Sequence, residues 1–207
     1  MKQDKNSLNK LWWDNNPMTY VESGSMDKWS DQERFLNDQD QFKKLNKDYL
    51  DTNPYLELFF KNETVKQHVR AKKVLDIGTG WGSSALLLNS LGATVTAVDL
   101  SETSLSGAIK NNEFFGKGNI NIMQMDAEKL TFENDTFDYV YSWGVIHHSS
   151  STEAAVNEIS RVLKPGGHGM VMVYNRLSIR YYLIGLWYLI LKGKIFKGES
   201  FKSVQKY

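Results

Sequence analysis

Short apolar runs alternate with longer stretches of helical periodicity between residues 74 and 174. The first run contains Val74, Leu75 and Ile77 and is typical of a buried strand. The same criteria predict a helix over 84–91, a strand over 93–98, a helix from Ser101 to residue 115, strands over 120–124 and 137–142, a helix over 153–163 and a strand over 170–174. Strands that alternate with helices favour an α/β fold with a mostly parallel, doubly wound sheet and helices on both faces.

Residues 1–72 precede the first strand and are polar, yet they contain Trp12, Trp13, Tyr20 and Trp29. Helices are expected over 31–50 and again over 55–69, the second packing against the first strand. We interpret 1–72 as an N-terminal helical cap whose tryptophans anchor it to a core over 73–175. Residues 176–207 then form a C-terminal helix and tail.

The apolar run over 181–191 is too short to cross a bilayer, which needs about 20 residues. A helix that covers the sheet is one interpretation of residues 177–192. A contact with a membrane surface or with a second copy of the chain is the other, because the run is aromatic and lies between Arg180 and Lys192.

Composition excludes several classes of function. The chain has 207 residues and a net charge of +1, and no dense run of Lys or Arg suggests a nucleic-acid partner. It has no Cys, so disulfides, thiolate nucleophiles and Cys-based zinc sites are excluded, and we predict no metal site. The polar start MKQDKNSLNK is unlike a signal peptide, so a cytoplasmic location is expected.

A glycine-rich turn follows the first strand, with Gly78, Thr79, Gly80 and Gly82 after Asp76. Glycines allow positive φ and let a ligand approach the backbone. The third glycine comes one residue too early for the dinucleotide fingerprint, and a carboxylate at Asp76 would repel a pyrophosphate but attract an ammonium group. The turn therefore disfavours a nicotinamide cofactor.

The pattern D-x-G-x-G-x-G after a first strand resembles motif I of the class I S-adenosylmethionine-dependent methyltransferases. The segments MQMDAEKLTF, SWGVIHH and EISRVLKPGG are similar to later parts of that family, so the resemblance covers residues 74–174. It is nearest to small-molecule enzymes such as the quinone-biosynthesis methylases. The resemblance implies a Rossmann-like fold, S-adenosylmethionine as cofactor, methyl transfer to a small-molecule acceptor, and an N-terminal extension that acts as a lid.

Site residues follow from the ends of the predicted strands. Asp99 lies 23 residues after Asp76 and ends the second strand, where its two oxygens can accept both ribose hydroxyls, with Leu100 beside it. By resemblance, Asp126 hydrogen-bonds the exocyclic amine of adenine, with Ala127 beside it in the cofactor site, and Ser142 and Trp143 approach the methionine portion and adenine. His147 and His148 are the candidate general bases, with a structural role for the pair as the alternative.

Several questions stay open at this point. The family has two more strands after the fifth, but only 33 residues follow Tyr174, so the sheet is incomplete, or the tail forms one strand, or the chain is a fragment. A non-catalytic cofactor-binding subunit is the main alternative function, and a NAD-dependent oxidoreductase is a weaker one. The acceptor, the methylated element and the oligomeric state are undetermined.

Overall fold

The computed structural model describes residues 5–15, 36–116, 118 and 120–175. The predicted helix over 177–192 and the tail lie outside the described residues. Residues up to Val173 form one compact unit, and Tyr174 begins a second. The cap and core boundaries predicted at residues 72 and 175 stay predictions.

The described strands form one five-stranded sheet in the order β3-β2-β1-β4-β5, in which every neighbouring pair is parallel. The strands are β1 (Lys73–Ile77), β2 (Thr94–Asp99), β3 (Ile120–Gln124), β4 (Phe137–Trp143) and β5 (Leu163–Met172). The strand order reverses beside β1, which lies between β2 and β4. This confirms the predicted α/β, Rossmann-like fold, whose ligand crevice is expected at the carboxyl ends of these central strands.

Helices precede the sheet and connect most of its strands. They are α1 (Lys5–Asn15), α2 (Gln39–Asp51), α3 (Pro54–Lys61), α4 (Glu63–Val69), α5 (Ser83–Ser90), α6 (Glu102–Phe115) and α7 (Thr152–Val162). Ser101 and Ser151 cap α6 and α7, since each hydroxyl accepts a hydrogen bond from a backbone N–H three residues later. None of the described helices is long and apolar enough to cross a membrane.

Alternate residues of the central strands pack into two hydrophobic layers, one on each face of the sheet. One layer joins Val74, Val95 and Tyr141 to α2, α3, α4 and α5. The other joins Leu75, Ile77 and Val140 to α7. Because both faces of β1 are covered, this strand is rigidly held and fixes the position of the turn that follows it.

Several element predictions were wrong in detail. Helix α2 begins at Gln39, capped by Asp38, within the helix expected over 31–50. The helix expected over 55–69 is two helices, because Asn62 leaves the helical conformation and its Oδ1 accepts hydrogen bonds from the N–H groups of Thr64 and Val65. Strand β5 begins at Leu163, not at residue 170, and ends at Met172. The KPGG segment lies within this strand. The register between β4 and β5 shifts opposite residues 137–139, and this bulge accommodates Gly166, whose φ is +76°. Helix α1 was not predicted.

Candidate functional site

The glycine turn joins the end of β1 to the start of α5. Gly78, Gly80 and Gly82 have φ values of +72°, +55° and +83°, which L side chains rarely adopt. A Cβ on Gly80 would meet no heavy atom within 4 Å, whereas one on Gly82 would lie 3.2 Å from Ala108 of α6. Gly80 is therefore the glycine that leaves space for a ligand, and Gly82 allows close packing of two helices.

Asp76 lies beneath this turn and is 1% exposed. Its Oδ2 accepts hydrogen bonds from the hydroxyls of Thr79 and Ser84, each at 2.7 Å. Burial raises the pKa of Asp76 to about 6, and the two hydrogen bonds oppose that rise. The carboxyl group thus holds the turn from below, and its contact with a ligand ammonium group stays a prediction.

Asp99 ends β2 and is hydrogen-bonded to the same turn. Its Oδ2 accepts from the Gly80 N–H at 2.8 Å, and its Oδ1 accepts from the Ser101 N–H at 2.9 Å. Burial raises the pKa of Asp99, and the backbone hydrogen bonds act against this. Each carboxylate oxygen can accept a further hydrogen bond. The neighbouring Leu100 accepts a hydrogen bond at its carbonyl from the Gln124 side chain at 2.9 Å.

The other two predicted pairs follow β3 and end β4. Asp126 is half-buried, and its Oδ1 accepts from the Glu128 N–H at 2.9 Å, while Ala127 packs against the core. Ser142 is fully buried, and its hydroxyl has no hydrogen-bond partner within the described parts of the chain. Trp143 is partly buried against the other core layer.

His147 and His148 form a short 3-10 turn after β4, with their ring centroids 4.1 Å apart. Burial, together with a smaller effect of the neighbouring His148, lowers the pKa of His147 to about 4. Burial also lowers the pKa of His148. Both rings are neutral at pH 7, so either can accept a proton, but His147 is a weak base.

The predicted residues thus lie at or just after the carboxyl ends of β1, β2, β3 and β4, which meet at one edge of a parallel sheet. The Gly80 N–H donates to Asp99 and so joins the segments that follow β1 and β2. Val145, in the segment after β4, packs closely against the glycine turn. Its side chain is so near to Gly78 that a Cβ on this glycine would collide with it.

Comparison with known proteins finds a sequence family that matches the part of the chain that carries these residues. Residues 75–171 match the sequence family described as "Methyltransferase domain". They contain the glycine turn, the acids after β2 and β3 and the histidine pair. This segment is a methyltransferase domain.

Relatives of the methyltransferase domain include enzymes with different acceptors. A ubiquinone biosynthesis O-methyltransferase of Coxiella burnetii is 32% identical over 123 residues, covering 58% of this chain and 52% of that protein. Phosphoethanolamine N-methyltransferase 2 of Caenorhabditis elegans is 33% identical over 104 residues, covering 50% of this chain and 24% of that protein. The chain therefore spans about half of the first relative and a quarter of the second.

The fold has a counterpart among solved structures. The protein PH0226 from Pyrococcus horikoshii OT3 matches with a TM-score of 0.54 and 30% identity, covering 74% of this chain and 66% of that chain.

Three residues of α1 contact the methyltransferase domain at this edge, of which Trp13 was expected from the sequence to anchor the N-terminal segment, whereas Asn9 and Asp14 were not singled out. The Asn9 side chain donates to the His148 carbonyl at 3.0 Å, and Trp13 meets the His148 ring edge-on at 5.2 Å between centroids. The Asp14 Oδ1 accepts from the Glu102 N–H at 2.9 Å. The tryptophan pair in a polar segment was the one available signal, and it did not identify these partners.

Proposed function

We propose that this chain is an S-adenosylmethionine-dependent methyltransferase that acts on a small-molecule acceptor. The observation that supports this most is the hydrogen bond from the Gly80 N–H to Asp99. It lies at the point where the strand order reverses, and a Cβ on Gly80 would meet no protein atom within 4 Å, so there is space for a ligand beside it. The family match supplies the reaction class. Because the chain spans only part of its relatives, the activity and acceptor are proposed for this chain.

The residues at this edge suit S-adenosylmethionine. Asp99 would accept hydrogen bonds from the ribose hydroxyls with the carboxylate lone pairs that are not already used by the N–H groups of Gly80 and Ser101. The Ser142 hydroxyl, buried without a hydrogen-bond partner among the described residues, would donate to the methionine portion. Asp126 and Ala127 would contact adenine, and Leu100 and Trp143 would pack beside the ligand. When bound, the cofactor supplies a methyl group on a positively charged sulfur.

The chain's own contribution is then positioning, exclusion of water and control of protons. Holding two reactants in line can supply about 7 to 11 kcal/mol of the barrier without a covalent residue. His147 and His148 remain the residues proposed to accept a proton from the acceptor. The low pKa of His147 makes it a weak base for this step.

A transfer assay tests this function. The purified chain is incubated with S-adenosylmethionine labelled in its methyl carbon and a panel of hydroxylated quinone precursors and ethanolamine phosphates, the two chemistries that the relatives' names suggest. Label in an organic product supports the proposal. A folded chain that binds S-adenosylhomocysteine but labels no acceptor in either class would favour the non-catalytic alternative.

Asp99→Asn provides the matching binding prediction. Loss of charge-assisted hydrogen bonds to the ribose should weaken S-adenosylhomocysteine binding by about 1 to 3 kcal/mol, or about fivefold to 150-fold. Asp138→Asn is the control, because Asp138 is a strand carboxylate at the opposite end of β4, bonded to the Lys73 N–H and to Lys164. Calorimetry should show a weakened Asp99 variant and an unchanged Asp138 variant, and equal affinities would refute the ribose contact.

A further inference from the structure

The loop that joins β3 to β4, over residues 125–136, carries the proposed adenine contact near its start. The Met125 N–H donates to the Asp99 carbonyl at 3.0 Å, so the loop begins beside the proposed ribose contact. The next residue is Asp126, whose Oδ1 accepts from the Glu128 N–H at 2.9 Å. The orientation of the Asp126 carboxylate therefore depends on how the following residues of the loop are held.

Arg161, in the last turn of α7, holds the middle of this loop. Its guanidinium group donates to the Leu130 carbonyl at 2.9 Å, to the Phe132 carbonyl at 2.7 Å and to the Asn134 side chain at 3.0 Å. Its other two N–H groups donate to the two carboxylate oxygens of Glu158, each at 2.8 Å. All five guanidinium donors are thus used, which the three donors of a lysine cannot reproduce.

Glu158 completes the attachment from one turn earlier on α7. Its Oε2 also accepts from the Leu130 N–H at 2.8 Å, so Leu130 is bonded through both its N–H and its carbonyl. The hydrogen bonds from Arg161 lower the pKa of Glu158 against the opposing effect of burial, so the carboxylate is charged at pH 7. Because the ion pair is partly exposed, its charges contribute little by themselves, and the bonds to the loop backbone are the important ones.

A second attachment joins the loop to the opposite end of the same helix. The Glu128 Oε1 accepts from the N–H of Ser151, the residue that caps α7, at 3.0 Å. Residues 126–130 therefore lie between two attachments to α7, which is itself packed against the sheet. Since hydrogen bonds weaken steeply when their angle is disturbed, α7 is in a position to set the orientation of Asp126 toward a ligand.

We propose that Arg161, with Glu158, is a positioning residue for adenine recognition. It holds the β3–β4 loop in the conformation in which Asp126 accepts a hydrogen bond from the exocyclic amine of adenine. This inference rests on the proposed function and adds to it the residues that control selectivity for the base. Because Asp99 is bonded to other groups, loss of Arg161 should reduce selectivity for adenine more than it reduces the remaining affinity for the ligand.

The experiment compares the binding of two ligands by calorimetry. S-adenosylhomocysteine has the exocyclic amine, and S-inosylhomocysteine has a carbonyl oxygen in its place, which cannot donate to a carboxylate. The unmodified chain should prefer the adenosine ligand by about tenfold or more. Arg161→Ala should lower this preference to about threefold or less, because the loop loses its bonds to the guanidinium group.

Two milder variants and a control complete the design. Arg161→Lys keeps the charge but not the five donors and should also lower the preference, which preserves the test if Arg161→Ala does not fold. Glu158→Gln keeps an oxygen acceptor for the Leu130 N–H and should give an intermediate preference. Lys110→Ala is the matched control, because Lys110 and Glu113 form a pair of the same i,i+3 spacing on α6, at 2.8 Å, and it should keep the full preference.

The outcomes separate this inference from the proposed function. An unchanged preference in folded Arg161→Lys and Glu158→Gln, or an equal loss of affinity for both ligands, would overturn the positioning role and leave the proposed function standing. An unmodified chain that binds both ligands equally would overturn the adenine contact and the positioning role with it. Failure of the folded unmodified chain to bind S-adenosylhomocysteine would overturn the proposed function itself.

Discussion

Gly80 is the residue where backbone conformation and ligand space coincide. Its φ is positive, and a Cβ would meet nothing within 4 Å. Gly166 has the same two properties but lies near the start of β5, at the other edge of the sheet. Alanine substitutions at these two glycines can therefore be compared. Both introduce backbone strain, which lowers stability, but only the one at Gly80 places a side chain in the crevice, where it weakens ligand binding.

We predict that Gly80→Ala and Gly166→Ala each lower the free energy of unfolding by about 1 to 2 kcal/mol, because both place an L side chain at positive φ. Urea denaturation measures this cost. Only Gly80→Ala should also weaken S-adenosylhomocysteine binding. An unchanged affinity of Gly80→Ala, measured on folded protein, would show that Gly80 does not face the ligand.

The sequence was informative about which residues follow each strand and less informative about where their side chains lie. Asp76 and Asp99 were both predicted to meet ligand, and that contact stays a prediction for each. The sequence did not indicate that Asp76 is buried under the turn and hydrogen-bonded to Thr79 and Ser84. A strand pattern places a residue at an end of the sheet. It does not say whether hydroxyl groups three and eight residues later will reach it.

At the scale of elements, α2 is joined to the core by a small polar cluster. The Asn46 Oδ1 accepts from the Ser83 hydroxyl at 2.7 Å and from the Asn111 side chain at 2.9 Å, and its amide donates to Asn111 at 2.7 Å. Asn111 also donates to the Trp81 carbonyl at 2.8 Å. These bonds connect α2 with the first residue of α5 and with α6, directly behind the glycine turn.

We expect Asn46→Ala to lower the free energy of unfolding by about 1 to 3 kcal/mol, since it leaves two buried polar groups unsatisfied. Urea denaturation measures the loss. Gln41→Ala, an exposed position on the same helix, is the control and should change stability by less than about 0.5 kcal/mol. Equal stabilities for the two variants would mean that the cluster does not hold α2.

Element predictions succeeded where periodicity and capping agreed and failed where one residue overrode the pattern. β3 matches its predicted bounds because its apolar run is isolated between polar segments. Asn62 divides a predicted helix through its side-chain hydrogen bonds, and Gly166 allows a strand to continue through a segment that normally ends one. Helix α1 was missed because its partners, α6 and the turn after β4, are distant in sequence.

For the whole molecule, two titratable groups with shifted pKa values make opposite contributions to the pH dependence of stability. Asp76 has a folded pKa of about 6, above its ordinary 3.8, so the folded state binds more protons between these values and gains stability as pH falls. His147 has a folded pKa of about 4, below its ordinary 6.5, so the unfolded state binds more protons and stability is lost as pH falls. The two effects largely offset each other between pH 6 and 4.

Single variants should expose each contribution. From pH 6 to pH 4, Asp76→Asn should lose stability relative to the unmodified chain, by at most about 1.4 kcal/mol per pH unit. His147→Gln should gain relative to the unmodified chain, by less than that amount because the ring is partly exposed. Urea denaturation at pH 4, 5, 6 and 7 measures both. Parallel pH profiles for all three proteins would contradict the proposed protonation states.

Whole-molecule function depends most on whether the edge above β1 binds the cofactor. The most direct measurement is calorimetric titration of the 207-residue chain with S-adenosylhomocysteine, with NAD as the control ligand. We predict saturable binding of S-adenosylhomocysteine at one site per chain and no heat with NAD. A folded chain that binds NAD, or that binds neither ligand, would contradict the account.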